Sequence, residues 1–410
     1  MGRWAIAVAG LLSLATAMGI GRFAFTPLLP MMLSDGVIDL PSASWLASAN
    51  YFGYLVGALL CTFQPWIWKR LGFLPPLEAT ALLRGGLVAT TLLTLGMAAQ
   101  LPAAWPLLRF SAGVASALVF VYTSGWCMAQ LARLNAPALG GVMYAGPGAG
   151  IAISGLLASG MVALQWKAAT GWLIFGVLAA VLTVLVWPTF REPGRLPGAS
   201  AGGLAGDPAA SSQAAAGRPQ MLLLALAYGL AGFGYIITAT FLPVIARQAM
   251  PGSSWIDFFW PLFGLGVVCG ALLATRIPVT GERRYLLAGA YAIQSLGIGA
   301  SLVSPSLTGF ALGSLLLGLP FTAITFFAMQ EVRRLRPAAV ASHMGLLTAM
   351  YGIGQIAGPP LVAWLLLRSR SLSEGFTLSL EIAAGALLAG ALMYLWMARA
   401  YPVLAQQNLR

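Results

Sequence analysis

GIGRFAFTPLLP, from Gly19 to Pro30, returns as GFGYIITATFLP, from Gly232 to Pro243, and the two stretches stand 213 residues apart. The next apolar segments keep the same step. Gly53, Gly57, Ala58, Leu59 and Leu60 are matched by Gly266, Gly270, Ala271, Leu272 and Leu273. One unit has therefore been duplicated within the chain. Weak internal symmetry between two hydrophobic halves marks membrane proteins assembled from repeats, whose working path lies where the two units face each other.

The composition places most of this chain in lipid. Of 410 residues 59% are hydrophobic and only 8% charged, with a mean hydropathy of +0.86, against about 25% charged residues in a soluble domain. A hydrocarbon core about 30 Å thick needs about 20 apolar residues per helix. The chain divides into twelve such runs: Trp4 to Leu33, Trp45 to Trp68, Ala79 to Leu101, Trp105 to Leu131, Gly140 to Leu164, Ala169 to Trp187, Met221 to Ala246, Ile256 to Thr275, Tyr285 to Val303, Leu307 to Met329, Met344 to Leu367 and Phe376 to Ala398. Barrel strands would need only about 10 residues and would alternate in polarity, so the runs are expected to be helices. The fold class predicted is all-α, with twelve transmembrane helices in two pseudo-symmetric six-helix bundles.

A net charge of +12 would suit a nucleic-acid partner, but its placement argues otherwise. Fifteen of the 22 Lys and Arg residues fall at even-numbered loops or termini that share one side, among them Arg3, Arg70, Arg133, Arg283, Arg284, Arg333 and Arg399. By the positive-inside rule both termini are expected in the cytoplasm. The first run resembles a cleaved leader around Ala15, Thr16 and Ala17. It continues into the stretch that the second half copies, so its retention is expected. Cys61, Cys127 and Cys269 lie inside runs without CxxC spacing, which points to neither a disulfide framework nor a metal site. The segment REPGRLPGASAGGLAGDPAASSQAAAGRP from Arg191 to Pro219 reads as a flexible linker. The expected organisation is a bundle over 1–190, a linker over 191–219 and a second bundle over 220–410.

These residues resemble the major facilitator superfamily, and within it the YbfB-like branch of bacterial inner-membrane proteins. The resemblance rests on GIGRFAFTPLLP, on NYFGYLVGALL from Asn50 to Leu60 and on YGLAGFGYIITATFLPVIAR from Tyr228 to Arg247. It implies a multi-pass transporter of the inner membrane that works by alternating access. The superfamily's fourth-helix pattern is met by Arg109, Gly113, Ala115, Ser116 and Ala117, with Ala112 where many members carry Gln. Its fifth-helix antiporter pattern is met by Gly146, Pro147 and Gly150, but Val142 and Ile151 replace two glycines, which hints at export. Cys61 stands where the acid of the second-to-third-helix loop is usual, leaving Lys69, Arg70 and Gly72.

Arg22 is the first candidate for contact with a solute. At about 1.5 Å per residue it lies roughly 12 Å before Pro30. A charge at that depth faces a cavity or a partner, because exposure to lipid costs at least about 2.5 kcal/mol. Its copy is Tyr235, so the site is asymmetric. Arg109, one turn inside Trp105, is a second cavity candidate whose alternative is to snorkel toward the nearer interface. Two guanidinium groups without an acidic neighbour favour an anionic group on the solute. Asn50, Tyr122, Tyr144, Thr238, Thr240, Thr322, Thr325 and Gln355 complete the uncharged candidates, with Asn50 and Gln355 the costliest to bury. The competing role is a bond to the preceding turn for the threonines and an interhelical hydrogen bond for Asn50 and Gln355.

For coupling or gating the candidates are His343, the sole histidine, together with Asp257 at the start of helix eight and Glu381 in helix twelve. A proton is one candidate coupling ion, and none of the acids is expected to be deep. The function expected is secondary active transport of a small organic, anionic or amphipathic solute. A transporter-derived receptor or a facilitative uniporter are the alternatives. An intramembrane enzyme would need a nucleophile, ligand set or carboxylate pair at depth, and a pump would need a phosphate-binding loop; neither pattern occurs. No cofactor, metal or nucleic-acid partner is expected, and a monomer in the bilayer is the expected working unit.

Overall fold

A backbone in lipid must satisfy its own N–H and C=O groups, and for runs this long the helix is the way to do it. The computed structural model describes residues 2–71, 78–190, 218–253, 255–277, 282–336 and 340–402. Twelve helical spans run through them: α1 (Arg3–Ser34), α2 (Leu40–Gln64), α3 (Ala79–Met97), α4 (Pro102–Arg133), α5 (Pro137–Ala163), α6 (Ala168–Phe190), α7 (Arg218–Ala249), α8 (Ile256–Ala274), α9 (Arg283–Val303), α10 (Leu307–Leu335), α11 (His343–Arg368) and α12 (Leu372–Ala400). No strand occurs among the described residues. Of the expected linker only Arg218 and Pro219 are described, as the opening of α7; the remainder and Gly72 lie outside the described residues.

Where the span ends differ from the apolar runs, side-chain chemistry accounts for it. α12 starts at Leu372, ahead of Phe376, because the Ser371 hydroxyl caps it by accepting from the Glu374 N–H at 3.1 Å. α10 continues past Met329 to Leu335, and Glu331, which lies just beyond the tenth apolar run on the cytoplasmic side expected from the charges, is wholly buried. It pairs with Arg334 at 2.5 Å and lies 3.7 Å from the buried Arg284 of α9. Arg284 also binds Glu282 and donates to the Met397 and Tyr401 carbonyls at the end of α12. In the loop before α2, the Asp39 carboxylate accepts from Ser42 N–H at 2.8 Å, and hydrogen bonds from the Ser42 hydroxyl and then its N–H hold its pKa below the usual value.

The duplication is written into the packing. A methyl group on Gly53 of α2 would stand 1.9 Å from the Phe110 carbonyl oxygen of α4, and one on its copy Gly266 of α8 would stand 2.7 Å from that of Leu315 in α10. Both glycines let backbones approach as small residues do between membrane helices. Gly19 of α1 meets Gly150 of α5, and its copy Gly232 of α7 meets Tyr351 of α11. The two six-helix bundles join along α2 with α11, α5 with α8, and α1 with α7. The last seam holds the axis of pseudo-symmetry: the Thr26 hydroxyl donates at 2.9 Å to the carbonyl of Ala239, the residue 213 positions on and therefore its own copy.

Candidate functional site

α1 is not the uniform helix its hydropathy suggests. It is α-helical over Arg3–Leu14, π-helical over Ala15–Ile20, loosened over the next four residues and α-helical again over Phe25–Ser34. Gly21 N–H donates to Thr16 O at 2.9 Å and Phe23 N–H to Met18 O at 3.1 Å, each a five-residue step. Further on, Pro27 has no N–H for the Phe23 carbonyl, which takes the Thr26 N–H at 3.1 Å and so leaves the Arg22 carbonyl without its helical donor. The copy of Pro27 is Thr240, and α7 runs unbroken over Arg218–Ala249. π-turns of this kind are frequent at functional sites.

The break sets the Gly21 and Arg22 carbonyls free, and Arg109 of α4 takes both. Its Nη1 donates to Gly21 O at 3.1 Å and its Nη2 to Arg22 O at 3.0 Å. Phe25 and Trp172 lie against the same guanidinium at 5.0 and 5.9 Å. At 2% exposure Arg109 is turned into the bundle and does not snorkel. It splints α1 where Arg22 departs from it.

Arg22 itself is 3% exposed. Its Nη2 donates to Gln355 Oε1 of α11 at 2.5 Å, and the Gln355 amide passes the chain on to the Tyr235 hydroxyl of α7. One glutamine thus bridges Arg22 to Arg22's own copy across the two bundles. The guanidinium lies over Tyr54 at 4.1 Å, with Tyr51 and Phe23 at 5.2 and 5.3 Å. Arg22 Nε is buried without a hydrogen-bond partner, and no carboxylate pairs with Arg22 among the described residues. Beyond Gln355 the aromatic wall continues through Tyr235, stacked on Tyr351 at 5.7 Å, Tyr228 against Tyr351 at 4.8 Å and Phe321 edge-on to Tyr235 at 5.0 Å.

The remaining candidates spread outward from this centre. Asn50 Nδ2 donates to the Arg109 carbonyl at 2.8 Å, which ties α2 to α4. Thr240 donates to Ile236 O and accepts from Tyr51 across the bundles at 2.9 Å. Thr238, one turn beyond Tyr235, and Thr322 keep buried hydroxyls without partners, while Thr325 accepts from Tyr228 at 3.0 Å. Tyr122 and Tyr144 belong to a separate apolar cluster with Leu83, Trp126 and Cys127. His343 begins α11 at the end from which α1 and α7 start, and Glu381 is exposed on the outer face of α12. Asp257 sits at the other end, paired with Arg247 at 2.5 Å. Its backbone carbonyl accepts from Ser159 of α5 at 2.9 Å.

Tyr51, Tyr54, Tyr228 and Tyr351 are the functional candidates that reading by residue type passed over. For two of them the signal was available: Tyr228 stands seven residues before Tyr235 on one helix and Tyr351 four before the bridge residue Gln355 on another, spacings that keep a pair on one face. What could not be read was which face turns toward Arg22.

Twelve spans in two pseudo-symmetric bundles, with a buried polar bridge on the axis between them, define a major facilitator superfamily transporter. The chain belongs to the family described as "Uncharacterised MFS-type transporter YbfB", whose sequence profile matches residues 14–395. A chloramphenicol resistance protein of Streptomyces lividans is 30% identical over 373 residues, covering 85% of this chain and 86% of that protein. Among solved structures, a variant of the nucleoside transporter NupG superposes with a TM-score of 0.71 at 16% identity, over 96% of this chain and 99% of that one. A D-xylose-proton symporter does so with a TM-score of 0.71 at 13% identity, over 95% and 97%. These two likenesses establish the fold.

Proposed function

We propose that the protein is a secondary active exporter, which carries a small organic solute with an anionic group across the bacterial inner membrane by alternating access. The observation that carries this reading is Arg22. A guanidinium at the centre of the membrane, 3% exposed and without a carboxylate partner among the described residues, is costly to keep unless an anion visits it. Flanking rings offset part of that cost through cation–π attraction, about 0.5–2 kcal/mol for each well-placed ring. They leave the net charge in place.

The direction of transport is read from the relative in Streptomyces lividans, whose name attaches it to chloramphenicol resistance. Lys and Arg cluster on the side of the termini, which assigns that side to the cytoplasm. The Arg22, Thr26, Ser48, Tyr51 and Ser159 side chains each hydrogen-bond to the second bundle, from mid-membrane to the end remote from the termini. That end is therefore closed in this conformation, and export requires these bonds to part. Asp257 is the coupling acid of this proposal: a proton there would release Arg247, next to the carbonyl by which Asp257 accepts from Ser159 of the first bundle.

Binding of radiolabelled benzoate to purified protein in nanodiscs tests the anchor. Arg22→Ala should abolish it while the protein stays monodisperse, and Arg22→Lys should restore little, since an ammonium cannot hold a carboxylate by two parallel bonds. Unchanged binding in both variants would remove Arg22 from the site.

A further inference from the structure

Nε and Nη2 of an arginine share one edge of the guanidinium, the edge that grips a carboxylate by two parallel bonds. In Arg22 that edge is half used. Nη2 donates to the single oxygen of Gln355, while Nε beside it is buried and unpartnered. A carboxylate would satisfy both donors where the amide satisfies one. Its second oxygen would compete with Gln355 Oε1 for Nη2, and the bond at stake also ties α1 to α11 and, through Tyr235, to α7.

The surroundings narrow the rest of the molecule. A carboxylate held by two parallel bonds lies in the plane of the guanidinium, and Tyr54 covers that group at 4.1 Å, about a stacking distance. A ring attached directly to the carboxylate shares its plane and would slide along the faces that Tyr54 and Tyr51 present to the guanidinium. A puckered or branched aliphatic body of the same size would meet those faces edge-first. Aromatic pairs gain from offset stacking beyond the area they bury.

We infer that the solute is a flat aromatic anion that takes the Nε and Nη2 edge of Arg22 from Gln355, so that occupying the site and releasing the bridge between the bundles are one event. The inference rests on Arg22 being the anchor proposed above. It adds the aromatic body and the exchange with Gln355.

Equilibrium binding in nanodiscs separates the two. Benzoate and 2-naphthoate should bind at least tenfold more tightly than cyclohexanecarboxylate. Gln355→Leu, which leaves both donors of Arg22 free, should strengthen benzoate binding several-fold. Gln355→Glu, which occupies both, should abolish it. Tyr54→Leu should cost benzoate about tenfold and cyclohexanecarboxylate less than twofold. Equal affinity of the wild-type protein for benzoate and cyclohexanecarboxylate, with both lost in Arg22→Ala, would overturn the aromatic assignment and leave the anchor standing. Binding of neutral 2-naphthylmethanol as tight as that of 2-naphthoate, unaffected by Arg22→Ala, would overturn both. The wild-type comparison decides even where a variant fails to fold, and unaltered benzoate affinity in a folded Gln355→Leu protein would refute the exchange.

Discussion

Replacing Arg109 with Met removes the splint of α1 while nearly preserving volume. Two buried carbonyls, those of Gly21 and Arg22, lose their donors at 3.1 and 3.0 Å. Leaving a buried polar group unpaired costs about 1–3 kcal/mol, so the pair costs about 2–6 kcal/mol. Removing a guanidinium that itself sits buried, with its Nε unpartnered, returns part of that desolvation. The net expected loss is therefore in the lower half of the range, about 2–3 kcal/mol. At about 2 °C per kcal/mol for a chain of a few hundred residues, thermal unfolding in nanodiscs should fall by about 4–6 °C. Arg109→Lys reaches one carbonyl only and should lose about half as much. Benzoate binding should weaken a few-fold in both, because Arg22 is displaced and not deleted. An unchanged melting temperature in Arg109→Met, with binding abolished, would refute the splint and make Arg109 a direct solute ligand.

Other perturbations follow from the same contacts. Pro27→Ala restores an N–H to the broken turn of α1; stability should hold or rise while benzoate affinity falls, measured on one nanodisc preparation. Thr240→Pro carries the break into α7, where a mid-helix proline costs about 3 kcal/mol or more, visible as a lowered melting temperature. Glu331→Leu removes the 2.5 Å partner of Arg334 but leaves Arg284 paired with Glu282, so it should cost about 1.5–3 kcal/mol, read as a lowered melting temperature. Gly266→Ala, whose methyl would stand 2.7 Å from a carbonyl oxygen, should lower the yield of folded protein, whereas Gly385→Ala, with open space around it, should leave it unchanged.

Hydropathy and the 213-residue repeat made the twelve spans and the two bundles legible, because lipid leaves long apolar runs few alternatives. Depth along α1 made Arg22 legible as a buried charge. Its partners were not, since Gln355 lies on a helix distant in sequence and only the rotation of α11, and of the neighbouring α2 for Tyr54, brings them to it. Arg109 shows the limit in another form: its residue type and position fitted a cavity wall, but the Pro27 break offered it carbonyls. Glu331 looked solvated because Gln330, Arg333 and Arg334 surround it in sequence, while the helix turns its carboxylate inward to Arg284.

Thr26 donates to the carbonyl of its own counterpart, so whatever stands at the centre of this protein is seen by a near-image of itself. In an assembly of two identical halves every charge there would come twice, and two guanidinium groups would face each other in a medium that screens them poorly. Fusing the halves into one polypeptide lifts that constraint. One side can carry the cation while the other offers a phenol, Tyr235, and a single glutamine can speak to both. A positive charge carried on one side only of a twofold frame is thus a consequence of covalent linkage, open to a tandem chain and closed to a dimer of equals.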